Sequence, residues 1–233
     1  MKIVTFLEKI CRKLHKTFCF SPRIEKEQEV IWQGSSNYWQ ERYLQGGNSG
    51  AGSYNHLAQF KAEVINKFVK DNGITSVVEW GCGDGNQLLL ADYPQYVGLD
   101  VSEKAIRICS AMFKDDESKK FVYCGDESFV FEEQAELALS LDVIYHLIED
   151  DIFDTYMKRL FASSNKYVCI YSCNDNENNS AVHVKHRKFT DWIEKNMSNQ
   201  WRLKNFVKNR YPYDPTEEGQ GSWSDFYFYE ILR

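Results

Sequence analysis

Val77-Val78-Glu79-Trp80-Gly81-Cys82-Gly83-Asp84-Gly85-Asn86 is the stretch on which the reading of this chain turns. An apolar run ends in an acid, and three glycines at alternate positions follow it. Glycine is needed where a backbone turns sharply and approaches a ligand with no side chain in the way. A strand, a glycine turn and a helix in that order make the ligand-binding edge of a parallel α/β sheet. Dinucleotide folds carry G-x-G-x-x-G at this place. Here the third glycine comes one residue early, at Gly85, and Asn86 stands in the dinucleotide position. Charge separates the ligands further. Free amides and the helix dipole attract a pyrophosphate to a helix N-terminus, whereas Glu79 and Asp84 would repel it by about 1 kcal/mol or more each. The same carboxylates suit a ligand that carries an ammonium and a sulfonium.

Working outward, strand-like apolar runs recur at 76–80, 96–100, 121–124, 137–141 and 167–172. Helical patterns separate them at 86–91, 103–113 and 151–161. Strands alternating with helices predict a mostly parallel sheet with helices on both faces. Upstream, Leu57, Phe60, Val64, Ile65, Phe68 and Val69 share one face of a helix that Asn72-Gly73 ends. Downstream, 189–196 reads as a helix, and 201–207 and 225–232 read as strands with no helix between them. That pattern predicts an antiparallel closing pair.

The 233 residues are 43% hydrophobic, enough for a sizeable core, and with 27% charged residues they exclude a disordered chain. No run approaches the ~18 apolar residues of a membrane-spanning helix. The net charge of −6 argues against a protein that binds by neutralising nucleic-acid phosphates. The seven cysteines (Cys11, Cys19, Cys82, Cys109, Cys124, Cys169 and Cys173) are odd in number and form no C-x-x-C pair. Reduced thiols in a cytoplasmic protein, with no metal site, are expected.

Residues 1–23 differ from the rest. Lys2, Lys9, Arg12, Lys13, Lys16 and Arg23 face only Glu8, a local balance of +5 that leaves −11 on the remainder of a chain whose total is −6. Ile3, Phe6, Leu7, Ile10, Leu14 and Phe18 recur at helical spacing, so a basic amphipathic helix is expected. Three readings of it stay open: docking on the domain's own surface, peripheral contact with an anionic membrane at its inner face, or a partner-binding arm. Residues 24–56 form a connector with a short aromatic helix over 37–43 and a glycine-rich loop over 46–53, either a linker or a lid. The main domain then covers 57–233.

The residues at 77–85 resemble the class I S-adenosylmethionine-dependent methyltransferases, whose motif is an apolar strand, an acid and G-x-G-x-G. The resemblance continues at Tyr96-Val97-Gly98-Leu99-Asp100-Val101-Ser102, at Cys124-Gly125-Asp126 and at Leu139-Ser140-Leu141-Asp142-Val143-Ile144-Tyr145-His146-Leu147. It implies a Rossmann-like fold with seven strands, the last part antiparallel, and S-adenosyl-L-methionine as cofactor with S-adenosyl-L-homocysteine as product. It also implies that Glu79, Gly81, Cys82, Gly83 and Gly85 line the methionine portion and that Asp100, beside Val101, accepts from the ribose hydroxyls. Asp126 then lies beside the adenine, and Ser140 or Leu141 offers a carbonyl to the ammonium. From the residues alone, Asp100 also suits a helix cap and Asp126 a turn.

More narrowly, Tyr38-Trp39-Gln40-Glu41-Arg42-Tyr43 with the loop behind it is similar to methyltransferases of bacterial capsule and surface-polysaccharide genes. So are His183-Val184-Lys185-His186-Arg187-Lys188-Phe189 and Ser224-Asp225-Phe226. This likeness implies a lid helix in which Tyr38, Trp39, Arg42 and Tyr43 reach the cofactor, Arg42 pairing with its carboxylate. Methylation of an oxygen on a sugar or sugar-linked acceptor is expected, with no nucleic-acid partner; the oligomeric state is open. His146, after the fourth strand, is the first candidate base, and His183 and His186 are the second. Arg187, Tyr145, Tyr211 and Trp223 are candidate acceptor contacts. The alternatives are an S-adenosylmethionine-binding interaction protein without activity and an N- or RNA-methyltransferase.

Overall fold

Val77 and Val78, on opposite faces of the first strand β1 (Ser76–Trp80), are both buried, and they enter two separate apolar clusters. Burial on both faces is what turns a parallel strand into a continuous apolar run. The other strands are β2 (Gln95–Asp100), β3 (Lys119–Tyr123), β4 (Ala135–Leu141), β5 (Ser164–Ser172), β6 (Trp201–Val207) and β7 (Asp225–Ile231). They form one seven-stranded sheet in the order β3-β2-β1-β4-β5-β7-β6. The first five in that order run parallel, and β7 is antiparallel to both β5 and β6. This is the computed structural model of the chain, and it describes residues 32–126, 128–176, 181–217 and 219–232. The expected basic helix over 1–23, its membrane or partner contact, the start of the connector, Cys11 and Cys19 lie outside the described residues.

The helices are α1 (Ser35–Leu44), α2 (Asn55–Asp71), α3 (Glu103–Met112), α4 (Asp150–Ala162) and α5 (Phe189–Met197). On one face of the sheet Phe60, Ile65, Phe68 and Val69 of α2 join Val77, Leu137, Leu139 and Phe228. On the other, Phe153, Met157 and Leu160 of α4 and Phe189 of α5 join Val78, Trp80 and Ala138. β1 lies between β2 and β4, where the strand order reverses, so its C-terminal end opens onto the crevice in which open α/β sheets bind ligands. No helix among the described residues is long and apolar enough to cross a membrane.

Most expected elements are present within a few residues, and one is not. The helix expected at 86–91 is a single 3₁₀ turn, Gln87–Leu90. Asn66 replaces further helical bonding there: its amide donates to Leu90 O (2.9 Å) and its carbonyl accepts from Asp92 N (3.0 Å). Pro94, next to the start of β2, leaves no room for a second turn. The edge strand β6 is exposed over five consecutive residues and is tied to β7 by Arg202 and Lys204 on Glu230.

Candidate active site

The C-terminal ends of β1, β2 and β4 open on a cavity of about 480 Å³. The glycine turn forms its floor. Gly81, Gly83 and Gly85 have φ of +86°, +59° and +79°, values that side chains resist. A Cβ on Gly81 would stand 2.5 Å from Val143 Cγ2, and one on Gly83 would collide with the Ser49 hydroxyl. The turn is bound to the end of β2: Gly81 N and Cys82 N both donate to Leu99 O, at 2.7 and 3.0 Å.

Asp100 completes that attachment. Its Oδ2 accepts from Gly83 N (2.9 Å) and its Oδ1 from Ser102 N (2.8 Å), and Ser102 caps α3. The Val101 amide bonds the carboxylate as well, so about one of its four acceptor sites remains for a ligand at the cavity wall. Burial pushes the carboxyl up to about 6, against the lowering effect of the Ser102 and Gly83 amides. Glu79 is also buried on the wall and accepts from the Tyr96 hydroxyl at 2.7 Å. Burial raises it to about 7, although the Tyr96 bond and Lys61 pull the other way.

The glycine-rich segment lies over this floor. Ser49 N donates to Asp84 Oδ2 (2.9 Å), Asp84 N donates to Ser49 Oγ (2.9 Å), and the Tyr54 hydroxyl donates to the same Oδ2 (2.8 Å). Burial raises the Asp84 carboxyl, but the bonds from Ser49, Asn86 and Tyr54 outweigh it and hold the group below its ordinary range. At the other end of the segment, Glu149 accepts from Trp32 Nε1, Ser35 N and Ser35 Oγ at 2.8, 3.2 and 2.6 Å. The segment between these anchors covers part of the cavity, placing Ser36, Trp39, Tyr43, Ser49 and Ser53 on its wall.

His146 lines the cavity beside Trp39, with ring centroids 4.9 Å apart. Its Nδ1 lies 2.9 Å from the carbonyl oxygen of His183. A carbonyl only accepts, so Nδ1 carries the hydrogen and Nε2 keeps its lone pair. Burial lowers this imidazole to about 4, more than the His183 carbonyl raises it, so it is neutral at pH 7. The arrangement can orient a ring and receive a proton on Nε2.

No family model matches the sequence, and no curated protein does. Solved structures do match. The N-methyltransferase NodS from Bradyrhizobium japonicum WM9 in complex with S-adenosyl-L-homocysteine superposes with a TM-score of 0.66 at 13% identity, over 86% of this chain and 100% of that one. Magnesium protoporphyrin IX methyltransferase (ChlM) from Synechocystis PCC 6803 with bound S-adenosylmethionine gives 0.59 at 11% identity, over 86% and 98%. The methyltransferase domain of a bacterial CtHen1 gives 0.54 at 20% identity, over 75% and 98%. Strand order and superposition agree. The fold is that of the class I methyltransferases.

Within this methyltransferase fold the expected residues divide. Trp39, Tyr43, Glu79, Gly81, Cys82, Asp100, Val101, Asp126, Leu141 and His146 all line the cavity. Gly83 and Gly85 stand off the wall: a Gly83 Cβ would meet Ser49 Oγ, and a Gly85 Cβ would lie 3.0 Å from Cys109 Sγ, on the side of α3. Ser140 sits in the ladder between β4 and β5, its Oγ 2.7 Å from the Tyr156 hydroxyl, and Leu141 is the strand residue on the wall. Tyr38 stacks on His183 at 4.6 Å, outside the wall. Arg42 donates from Nε to Asn48 O (2.6 Å) and lies over the Trp39 ring, again off the wall.

The acceptor candidates are less concentrated. His183 supports His146 through its carbonyl and a stacked ring 5.6 Å away; burial lowers its own imidazole, as does Arg42. His186 is buried behind Tyr145 and Trp223, with Nδ1 3.5 Å from Asp175. Arg187 clamps the start of α4, donating to Leu147 O and Ile148 O at 2.9 Å each and pairing with Asp150. Tyr145 hydrogen-bonds Asp142 from behind the wall. Tyr211 packs edge-on to His56 and Phe60, while Trp223 stacks on Tyr213 and stays 41% exposed.

Lys61 and Asp142 are functional candidates that the sequence reading passes over. Lys61 is 1% exposed and joins Asp142 at 2.8 Å on the cavity wall. The signal was present: Lys61 falls four residues from both Leu57 and Ile65, inside the apolar stripe of α2.

Proposed function

We propose that this chain is an S-adenosylmethionine-dependent methyltransferase that methylates a hydroxyl of a sugar or sugar-linked small molecule, in surface-polysaccharide synthesis. The observation that carries the reading is one cavity whose wall combines the glycine turn, the buried carboxylate of Asp100 and a neutral His146. The cavity's volume of about 480 Å³ falls in the range of roughly 300–1,000 Å³ that small-ligand pockets occupy. Its wall carries Glu79, Asp100, Asp126, Asp142 and Asp151 against Lys61 and Arg159, an excess of carboxylate that favours a cationic ligand and opposes a diphosphate. These residues fit S-adenosylmethionine: Asp100 for the ribose hydroxyls, Asp126 and Gly125 for the adenine side, Glu79 and the glycine turn for the cationic methionine end.

When bound, that cofactor supplies an electrophilic methyl on a sulfonium. The chain's part is to bring an acceptor oxygen within ~3–3.5 Å of it, exclude water and take one proton. Ser49, Ser53 and Trp39, carried by the cover, help enclose the cavity. His146 takes the acceptor proton on Nε2 while His183 O holds the ring. A base near 4 suffices, because the hydroxyl proton becomes far more acidic as the oxygen gains its new carbon. An amine acceptor is the second reading, favoured by the same excess of carboxylates.

The test is calorimetry with S-adenosyl-L-homocysteine, followed by mass spectrometry of nucleotide sugars and glycosyl phosphates incubated with S-adenosylmethionine. A product 14 mass units heavier on a sugar-linked acceptor is expected. Heat with NAD and none with S-adenosyl-L-homocysteine would overturn the assignment. Binding without turnover on any acceptor would favour an inactive binding protein.

A further inference from the structure

Lysine is almost never fully buried without a reason, and Lys61 is buried deep in the second turn of α2. Its ammonium has three hydrogens to give. Among the described residues it gives one hydrogen bond, to Asp142 Oδ2 at 2.8 Å, and its next neighbour of note is the face of Tyr171, 5.5 Å from the ring centre. Asp142 is held in turn: Ser224 Oγ donates to its other oxygen at 2.9 Å and Tyr145 bonds it as well. Asp142 also holds φ at +59°, a conformation uncommon for a residue with a side chain. The ion pair is thus built and strained into place, and Lys61 keeps donors to spare on the cavity wall. A buried pair of this kind is a poor route to stability, since well-packed apolar residues do as well.

Among the described residues two cations, Lys61 and Arg159, stand on that wall. Arg159 belongs to the far side, where its Nη2 donates to Phe129 O at 3.0 Å and its charge acts on Cys124. Lys61 belongs to the glycine-turn side, where its charge acts on Glu79. The cover closes on it: a Cβ on Gly52 would stand 2.8 Å from Asp142 Oδ2 and 3.9 Å from Lys61 Nζ. Arg42, the cation expected from the sequence for a ligand carboxylate, has its guanidinium on Asn48 O and Trp39 instead. Among the described residues, a zwitterionic amino-acid tail lying over the glycine turn therefore meets one cation, Lys61, in a place where closure excludes water and strengthens the contact.

We infer that Lys61, oriented by Asp142, receives the α-carboxylate of the cofactor. The inference rests on the reading that this cavity binds S-adenosylmethionine. Its test compares two ligands on three proteins by calorimetry. The ligands are S-adenosyl-L-homocysteine and the same thioether without its carboxylate, 5′-(3-aminopropyl)thio-5′-deoxyadenosine. The proteins are wild type, Lys61→Met and the charge-neutral double variant Lys61→Met/Asp142→Asn, in which Asn still accepts a left-handed backbone.

Wild type is expected to lose at least tenfold in affinity when the carboxylate is removed. Both variants are expected to lose at least tenfold on S-adenosyl-L-homocysteine and to bind the decarboxylated ligand as wild type does. Equal losses on both ligands, or no loss on either, would overturn the inference while leaving the cofactor assignment standing. A co-crystal of wild type with S-adenosyl-L-homocysteine gives a readout independent of variant folding: a carboxylate oxygen in hydrogen-bonding reach of Nζ supports the inference, and a carboxylate on any other cation refutes it. No binding of S-adenosyl-L-homocysteine by wild type would refute the parent reading itself.

Discussion

Lowering the pH from 8 to 5 should weaken S-adenosyl-L-homocysteine binding far more than any surface effect would. On the proposed function Asp100 takes ribose hydrogens only as an ionised carboxylate, and its carboxyl sits at about 6 because burial outweighs the backbone amides that bond it. One unit below that midpoint the group is ionised in about one molecule in ten, which costs about tenfold in affinity, or about 1.4 kcal/mol. Glu79, raised by burial to about 7, favours a cationic tail only when ionised. At pH 5 its protonation adds up to about a hundredfold more.

The free protein responds in the opposite sense. A carboxyl with a raised folded value keeps its proton where the unfolded chain has lost it. Its contribution to stability therefore falls as pH rises, from 3.8 to about 6 for Asp100 and from 4.5 to about 7 for Glu79. Calorimetry at pH 5, 6, 7 and 8, run in buffers of different ionisation heat, reads both affinity and the protons released on binding. In Asp100→Asn the Asp100 part of the pH dependence should vanish, with affinity at pH 8 down by ~2 kcal/mol from the lost charge-assisted bonds. An affinity constant within twofold from pH 5 to 8 would refute the reasoning.

His146→Ala should lower kcat about 10²- to 10⁴-fold while the dissociation constant for S-adenosyl-L-homocysteine changes little; an unchanged rate removes His146 as base. Because burial keeps that imidazole neutral down to about 4, kcat at saturating cofactor should be flat from pH 5.5 to 8, and a limb near 6.5 in that profile would contradict the structure. Asp84→Asn should loosen the cover by weakening its bonds to Ser49 and Tyr54, seen as faster proteolysis within 46–53 and a faster cofactor off-rate; wild-type cleavage rates would count against the latch. Gly83→Ala forces a side chain into φ of +59° and against the Ser49 hydroxyl, so a loss of about 1–3 kcal/mol in stability is expected by thermal melting, and a wild-type melt would be inconsistent with this packing.

The sheet was legible because β1, β4 and β5 are buried on both faces and so read as apolar runs in a fixed alternation with helices. The glycine turn was legible because three positive-φ positions leave glycine as the residue each one accepts without strain. The cavity wall was legible only where a residue ends a strand of the sheet or follows it directly, as Asp100 and His146 do. Arg42, Arg187 and His186 look available in sequence, yet their charges and rings face Asn48, Asp150 and Trp223, which lie 6, 37 and 37 residues away. Lys61 was hidden for the converse reason: a cation inside an apolar stripe makes sense only once Asp142, 81 residues on, is beside it.

Partners, more than position, decide what each strand-end carboxylate can do. Asp84 stands inside the glycine motif, but its Oδ2 accepts from both Ser49 N and the Tyr54 hydroxyl, so its charge holds the segment over the turn. Asp142 lies at the end of β4 with Lys61 on one oxygen and Ser224 on the other, and its charge is matched within the wall. Glu79 and Asp100 differ from these two. Each is buried and is pushed upward by desolvation that its hydrogen bonds do not offset. Burying two under-compensated carboxylates side by side costs stability. That cost is recovered when a cation and a pair of hydroxyls arrive together, which a ribose joined to a cationic tail provides and a diphosphate does not. On the proposed function, selectivity for a positively charged nucleoside would follow from this pair rather than from the glycines beneath it.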